Sequence, residues 1–411
     1  MAHDFMSDYV LYHSYYEIPR NYVYWSAIAT IGAVVNRKIH FRHGDIIVHG
    51  NLYVALVGPQ GNGKSVSCDF AKRFFKLACP GMPIGASTQS AEDIVSCMAK
   101  EDFARSYTNE IGERTCVSAY SFFINELKNF IAYAPSRMLA FLTDIYDRVD
   151  PFDSSTIKRG VESIVNPSLN ILACENPDWL INNLKNDIVS GGFSRRIIYV
   201  YELDRAEPKA FIDLDPAAVD ARDRIVKYLT AANSIVGQYK WTDNGRKWYR
   251  PWYEHKQRNL PNNPLMAGYI GTKHIQLFKV AMCLDAVSPK PMFLFTDELL
   301  QLAVSFLDLI ELNMPRLSQA AGRNELAAIQ QRCLEALLRN GGFMPEKELK
   351  RLIEVDCNWS ETANLLRHLE ETDQLSRKLW KFPNAKEDYM LFLPGKQDEL
   401  VKQGVIKVTK T

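Results

Sequence analysis

Hydrophobic periodicity changes near residue 37. Before that point aromatic and aliphatic residues recur at helical spacing, with Trp25, Ile28 and Ile31 on one face. From Lys38 to Val57 the pattern switches to short strand-like runs, with a turn at Gly44-Asp45. We therefore predict a helical N-terminal collar over residues 1–37 that packs on the rest of the protein. The alternative is an aromatic platform on which single-stranded bases stack.

Strand-like and helical segments then alternate. Four further strands are predicted at Pro83–Thr88, Cys116–Ile124, Leu169–Cys174 and Arg196–Tyr201. Ser90-Ala91-Glu92-Asp93 has the form of a capping box for a helix from Ile94 to Lys100. Such alternation is typical of an α/β fold with a mostly parallel sheet covered on both faces. We predict this core over residues 38–209.

The next region, residues 210–323, is predicted to be a helical lid or insertion. Its helices are expected at Ala217–Ala231, Lys273–Asp285 and Asp297–Leu312. The segment Trp241–Pro264 contains three prolines, and we predict an irregular insertion there.

Residues 324–411 have a separate layout. Predicted helices at 325–339, 346–354 and 360–371 precede a hairpin formed by 375–380 and 389–393. Three helices followed by a hairpin predict a winged-helix domain. Its third helix would read a DNA groove. That helix also carries Glu361, Glu370 and Glu371, which repel phosphate, so docking to protein is an equal alternative.

The strongest chemical signal is the glycine-rich loop Gly58–Ser65, which fits the spacing G-x-x-x-x-G-K-[ST]. A strand-like run precedes it and a helix from Val66 to Ala78 is predicted after it, so its N–H groups would face phosphate oxygens. Lys64 would reach the β- and γ-phosphates of ATP, and Ser65 would bind Mg²⁺. The predicted nucleotide contacts are Gly58, Pro59, Gln60, Gly61, Asn62, Gly63, Lys64, Ser65 and Val66.

Polar residues follow two of the predicted strands. In P-loop ATPases the strand beside the loop usually ends in Asp-Glu, for Mg²⁺ and for the attacking water. Here Asn125 takes the magnesium position as a weaker partner, and Glu126 is the candidate for polarising water. Asn176 is our candidate sensor of the γ-phosphate, preferred to Glu175 because a second carboxylate would repel triphosphate. Capping of the following helix is an equal alternative for Asn176.

An arginine opens the last predicted strand, in the segment Gly191-Gly192-Phe193-Ser194-Arg195-Arg196. An arginine at this place is a candidate finger that reaches the nucleotide of the next subunit. A salt-bridged surface arginine is the alternative.

The loop, together with Asn51-Leu52-Tyr53, Asn125-Glu126-Leu127, Pro167–Pro177 and Gly192–Ile197, resembles the P-loop ATPase domain of phage, prophage and plasmid primase-helicase proteins. The layout is also similar to AAA+ and superfamily III viral helicases. The resemblance covers about residues 5–310. It implies an AAA+/RecA-like core, a ring oligomer, ATP hydrolysis at subunit interfaces and DNA translocation.

Residue roles also follow from the resemblance. Arg196, and not Arg195, takes the finger position, while Asn125 departs from the family pattern. A channel hairpin is implied between the Glu126 and Asn176 strands. There Lys158 and Arg159 are the candidate contacts to nucleic-acid phosphates, with a solvated basic turn as the alternative. A lid cation is sought at Lys273, with Lys279 as its rival.

Composition bears on the overall charge of the protein and on the cellular compartment that we expect. Lys+Arg 49 against Asp+Glu 48 excludes a global basic field. The eight cysteines form no C-x-x-C pair, which favours a reducing cytosol over a zinc or disulfide framework. Without a leader or membrane-length apolar run, we expect a cytoplasmic protein, in a bacterial host or a phage-infected cell, with no membrane partner.

The predicted function is an ATP-driven replicative DNA helicase or translocase of a phage or mobile element, which assembles as a ring, a hexamer by resemblance. Its cofactors would be ATP and Mg²⁺, and its track single-stranded or forked DNA. A primase or replication initiator would be a separate chain. The alternatives are an ATP-gated loader or origin-binding scaffold that does not unwind DNA, and a DNA-packaging motor.

Overall fold

The computed structural model describes residues 4–100, 103–132, 134–149, 151–156, 160–183, 192–261, 264–314, 329–353, 359–380 and 388–402. The chain divides into two compact units, Met1–Ser318 and Gln319–Thr411. The first is a mixed α/β unit built around a mostly parallel sheet.

The helices of the first unit are α1 Phe5–His13, α2 Arg20–Val35, α3 Lys64–Ala78, α4 Ala91–Met98, α5 Leu127–Ile131, α6 Pro135–Tyr146, α7 Pro177–Asn183, α8 Pro216–Ala232, α9 Asp243–Arg258, α10 Pro264–Ala286 and α11 Asp297–Glu311. Its strands are β1 Ile39–His43, β2 Ile46–His49, β3 Tyr53–Val57, β4 Ala104–Thr108, β5 Arg114–Ile124, β6 Phe152–Thr156, β7 Gly160–Ile164, β8 Pro167–Glu175, β9 Ile197–Tyr201, β10 Gly237–Trp241 and β11 Leu294–Phe295.

The central sheet has the strand order β4-β5-β8-β3-β9. All neighbours are parallel except β4, which runs antiparallel to β5. Val57, the last residue of β3, is level with Glu175 of β8 and Tyr201 of β9. The ends of β3, β5, β8 and β9 therefore form one margin of the sheet, the carboxyl edge, and their beginnings form the opposite margin, the amino edge.

The expectation that the strand ending in Asn125-Glu126 lies beside the loop strand is wrong. β8 lies between β3 and β5 and pairs with both. Every residue of β8 is buried, as a central strand requires, whereas β5 begins exposed and has the peripheral β4 as its other neighbour. The loop strand is thus flanked by the strand that ends at Glu175.

Two local predictions also fail. The predicted strand Pro83–Thr88 is reduced to a single bridge between Ile84 and Ser121 of β5. The Gly85 N–H donates to the Ser121 carbonyl, and the chain then leaves β5. The predicted irregular insertion is largely helix α9, with Pro251 inside it. Thr242 caps this helix by accepting from the Gly245 N–H at 3.0 Å, and its aromatic residues pack on the core.

A second sheet, of order β11-β10-β1-β2, pairs β1 in parallel with β10. It therefore joins the beginning of the predicted core to the predicted lid region within one unit. The collar helices belong to the same hydrophobic core: Tyr9, Tyr22 and Trp25 have no exposed surface. These rings are packing residues and do not form a platform for bases. The cap at Ser90 is confirmed, since its side chain accepts from the Asp93 N–H, but the helix begins at Ala91 and not at Ile94.

The second unit contains a helix through residues 329–339 (α12), β12 Phe343–Pro345, α13 Glu346–Ile353, α14 Trp359–Glu371, β13 Ser376–Trp380, β14 Asp388–Phe392 and α15 Lys396–Lys402. The sheet order β12-β14-β13 is antiparallel throughout. Leu337, Leu349, Leu369 and Leu391 form the centre of its small core. The predicted helices and hairpin are present within one residue of their expected bounds where described, and β12 is an additional strand.

Candidate functional site

The glycine-rich loop Gly58–Ser65 connects the end of β3 to the start of α3, and its path requires glycine. Gly63 caps α3 with a φ of 73°, and a Cβ there would lie 2.6 Å from the Glu17 carbonyl oxygen. At Gly58 a Cβ would lie 2.2 Å from the Tyr22 hydroxyl. The loop is thus pressed against the segment that enters α2, and side chains at these positions would push it away.

Lys64 lies at the first position of α3 and folds back over the loop. Its Nζ donates to the carbonyl oxygens of Gly58 and Pro59 at 2.5 and 2.6 Å. Partial burial lowers the pKa of this ammonium, and the neighbouring Cys174 and Glu175 oppose that shift. A partly dehydrated ammonium held by two neutral carbonyls gains strongly from an anion, so Lys64 is suited to bind phosphate.

The loop is fixed at both flanks. The Tyr22 hydroxyl donates to the Val57 carbonyl at 2.6 Å, and Asn62 Nδ2 donates to the Glu202 carbonyl at 3.0 Å. Asn62 is buried and therefore holds the loop in place, whereas Ser65 and Val66 are exposed on the first turn of α3. The fixed backbone and exposed first turn leave the N-terminus of α3 open to a ligand.

A basic residue that was not predicted also lies beside the loop. Arg205, four residues after β9 ends, places Nη2 at 3.4 Å from the Gln60 carbonyl oxygen and 3.5 Å from the position of a Cβ on Gly61. It is exposed and lies at the carboxyl edge. A single basic residue after the last core strand is the only sequence signal for it, and many surface arginines share that signal.

Next to the first turn of α3 lies the end of β5. Asn125 is exposed, and its Nδ2 is 3.5 Å from Oδ1 of Asp69, a residue of α3 that was not predicted. Asp69 follows Ser65 by four residues, so both face the same side of the helix. That spacing is the signal that could have identified Asp69.

Glu126 follows Asn125 and is 54% exposed. Its carboxylate accepts from Asn129 Nδ2 at 2.6 Å and lies 3.5 Å from the Lys128 ammonium. The side chain is therefore at the carboxyl edge, as predicted, and is partly held by its own turn.

Glu175 and Asn176 have different environments. Asn176 Oδ1 accepts from the Asp178 N–H at 3.1 Å, the capping arrangement given above as the alternative to a sensor role. Glu175 is only 3% exposed and accepts from the N–H groups of Asn176 and Lys128, both at 2.7 Å. Burial raises its pKa, and these hydrogen bonds oppose the shift. Glu175 thereby ties the end of β8 to the turn that carries Glu126.

Arg196 lies at the opposite, amino edge. It directly precedes β9, whose first residue is level with Tyr53, while the loop follows Val57. Four residue steps along a strand separate these levels by roughly 13 Å. Its Nη1 donates to the Gly192 carbonyl at 2.9 Å, and its Nε is 3.4 Å from Asp147 Oδ2. Arg196 is thus ion-paired within its own chain and lies away from its own loop, while Arg195 is exposed.

The two lysines considered for a lid cation are both buried. Lys273 is paired with Asp308 and Glu311. Lys279 donates to Asn51 Oδ1 at 2.9 Å and to the Asn51 carbonyl at 3.2 Å. Both ammonium groups therefore bind within the fold, and neither points to the glycine-rich loop.

A hairpin is present between the Glu126 and Asn176 strands, as predicted, and consists of the antiparallel pair β6 and β7, in which Thr156 is level with Gly160. The candidate phosphate contacts Lys158 and Arg159 lie outside the described residues. Ser96 of α4 donates to Glu162 of β7, which ties the hairpin to the central unit.

A magnesium ion would find oxygen ligands at the carboxyl edge of the sheet, beside the loop. In the described residues no group of three His, Cys, Asp or Glu side chains is suited to a metal. Ser65, Asp69 and Asn125 offer a hydroxyl, a carboxylate and an amide near one another. Because Mg²⁺ is commonly bound by one or two protein oxygens together with phosphates and water, this small set fits it.

None of the helices in the described part of the chain has the length and apolar character needed to cross a membrane. No family model matches the chain, and no curated protein matches its sequence.

Proposed function

We propose that the protein is a P-loop ATPase with an AAA+/RecA-like core and a winged-helix second unit. The main observation in favour of this proposal is the glycine-rich loop at the junction of a buried strand and a helix, with Lys64 folded over it. The strand order also supports this class, because β8 ends at Glu175 directly beside the loop strand and β5, the next strand, ends before Asn125-Glu126 at the same edge.

In this proposal each residue at the carboxyl edge has one task. The loop N–H groups and Lys64 bind the phosphates of ATP, and Ser65 and Asn125 hold Mg²⁺, which when bound neutralises phosphate charge. Glu126 orients the attacking water. Glu175 fixes the turn that presents Glu126, and Asn176 remains our proposed γ-phosphate sensor, although its capping bond would have to yield.

We further propose that hydrolysis drives a ring, a hexamer by resemblance, along single-stranded or forked DNA as a replicative helicase or translocase. The position of Arg196 supports action in trans, since it lies roughly 13 Å along the sheet from its own loop. Asp147 would have to release it at a subunit interface. The second unit would bind DNA or dock another replication protein, such as a primase or initiator.

The test is steady-state ATP hydrolysis with and without single-stranded DNA, together with unwinding of a forked duplex. We expect DNA-stimulated hydrolysis and strand separation. Lys64→Ala should abolish both, whereas Lys76→Ala, an exposed lysine at the far end of the same helix, should retain them. Absence of hydrolysis, or indifference to Lys64→Ala, would overturn the ATPase proposal. Hydrolysis that leaves the fork intact would favour a packaging motor.

An ATP-gated loader or origin-binding scaffold is the second candidate, and Asn125 favours it because a neutral amide holds Mg²⁺ less firmly than a carboxylate. Such a protein would bind ATP and assemble without unwinding DNA. Particle images that show rings in the presence of ATP, together with no ATP hydrolysis when DNA is added, would support this candidate.

The role of Arg196 is tested by mixing subunits. Arg196→Ala subunits mixed with Lys64→Ala subunits should recover activity at interfaces that combine one intact loop with one intact arginine. Intact mixed rings without recovered activity would contradict action in trans.

A further inference from the structure

The magnesium position on β5 lacks a carboxylate, and the structure offers one on the neighbouring helix. Asp69 lies one helical turn after Ser65 on α3, and Oδ1 of Asp69 is 3.5 Å from Nδ2 of Asn125. The hydroxyl, the carboxylate and the amide therefore converge from two elements on one small surface at the carboxyl edge.

Asp69 is exposed, and its carboxylate contacts the neutral amide of Asn125. Its charge also affects Cys174, a buried residue of β8 beside the loop strand. The pKa of the Cys174 thiol is raised by a hydrogen bond with Cys68 and by burial, and Asp69 adds to this effect while Lys64 opposes it. Asp69 and Lys64 thus have opposite electrostatic effects on the same buried thiol.

We propose that Asp69 supplies the carboxylate for a magnesium–nucleotide complex that Asn125 does not supply. This inference rests on the proposed function. Ser65 and Asn125 are neutral, so without Asp69 the proposed protein ligands of the metal would carry no negative charge. A hard divalent cation that keeps several waters gains most from one or two carboxylates placed beside its phosphates. The negatively charged ligand would thus come from helix α3 and not from the end of strand β5.

The inference predicts that the carboxylate can be returned to the strand. We would titrate MgCl₂ against the fluorescence of a ribose-labelled ADP bound to the full chain, and measure Mn²⁺ binding by electron paramagnetic resonance with ADP present. Asp69→Asn should raise the half-saturating metal concentration at least about tenfold. Affinity for the nucleotide in EDTA should stay equal or improve, because a negative charge near the phosphates has been removed.

The double variant Asp69→Asn/Asn125→Asp should recover most of the lost metal affinity. Asp223→Asn, an isosteric change at an exposed carboxylate of α8, is the matched control and should leave the titration unchanged. An unaltered metal titration in Asp69→Asn, or no recovery in the double variant, would overturn the inference while leaving the ATPase proposal intact. If the wild-type chain binds no labelled ADP at all, the proposed function fails first and the inference fails with it.

Discussion

The two edges of the central sheet differ in how many of their polar side chains are left exposed and weakly partnered. At the amino edge Arg37 is buried and donates to the Arg148 and Pro167 carbonyls at 2.6 and 3.0 Å, and Lys279 is buried on Asn51. At the carboxyl edge Ser65 and Asp69 are exposed. Fully partnered polar groups hold the elements together, whereas exposed and weakly partnered groups that converge leave hydrogen-bonding capacity for a ligand.

The basic groups at the two edges share the direction of their pKa shifts but differ in their partners. Burial lowers the pKa of Lys279 to about 8 and of Arg37 to about 10, and neighbouring acidic groups or tyrosines oppose the shift. Burial also lowers the pKa of Lys64. The partners of Lys64, however, are two carbonyls of its own loop, which a polyphosphate could replace without breaking a contact between elements.

The largest expected effect tests this difference between two lysines. Lys279→Ala should lower the free energy of unfolding by about 3 kcal/mol, because it leaves a cavity and removes the donor of the buried Asn51 Oδ1. Lys64→Ala should change it by less than about 1 kcal/mol while removing nucleotide binding. Urea unfolding and nucleotide titration of both variants measure this, and equal losses of stability would break the comparison.

A buried imidazole outside both edges gives the next effect. His13 Nδ1 donates to the Tyr9 carbonyl oxygen at 2.7 Å, and the imidazole stacks on the Tyr9 ring. Burial lowers its pKa to about 4, against 6.5 in the unfolded chain. Between these values the unfolded state binds the proton more tightly, so stability is lost as the pH falls from 6.5. The loss should be about 2 kcal/mol by pH 5.

The matched variant is His13→Phe, which keeps a flat ring among Phe70 and Phe74 but cannot bind a proton. Unfolding free energies at pH 7.5 and pH 5 should differ less in the variant than in the wild type. His49, whose pKa burial also lowers, contributes to both proteins alike. An equally steep loss in the variant would remove His13 as the cause.

The sequence predicted the elements of the carboxyl edge well, because that edge is built from local signals. The loop spacing, the apolar runs of β3 and β8 and the capping box at Ser90 each depend on a few neighbouring residues. Strand order depends on pairing between distant segments. Nothing within 52–57 or 116–126 indicates that residues 167–175 will come between them.

Contacts between segments that are distant in the sequence could not be predicted either. Glu175 was rejected as a site residue because a second carboxylate would repel phosphate, but backbone N–H groups from two segments accommodate it in the structure. Lys273 was considered as a lid cation, and its acidic partners lie on α11, more than thirty residues away. Pro251 suggested irregular chain, but capping and packing of α9 outweigh one lost hydrogen bond.

A smaller effect concerns the hydroxyl that joins α2 to the carboxyl edge. Tyr22→Phe should cost about 1 kcal/mol, because the buried Val57 carbonyl loses its 2.6 Å hydrogen bond from the hydroxyl. Tyr199→Phe is the matched control: within the described residues its buried hydroxyl has no hydrogen-bond partner, so removal should be neutral or stabilising. Chemical denaturation of both variants gives the two values, and a larger loss for Tyr199→Phe would reverse the reasoning.

The smallest expected effect separates two adjacent arginines at the amino edge. Arg196→Ala should lower stability by about 1 kcal/mol, since its side chain is 29% exposed and joins Asp147 to the Gly192 carbonyl. Arg195→Ala should stay within about 0.5 kcal/mol. Measured beside the subunit-mixing assay, these values distinguish a structural arginine from a finger. If Arg195→Ala abolishes hydrolysis in intact rings while Arg196→Ala only destabilises the chain, the finger is the exposed arginine and Arg196 belongs with Lys279 among the groups that hold the fold.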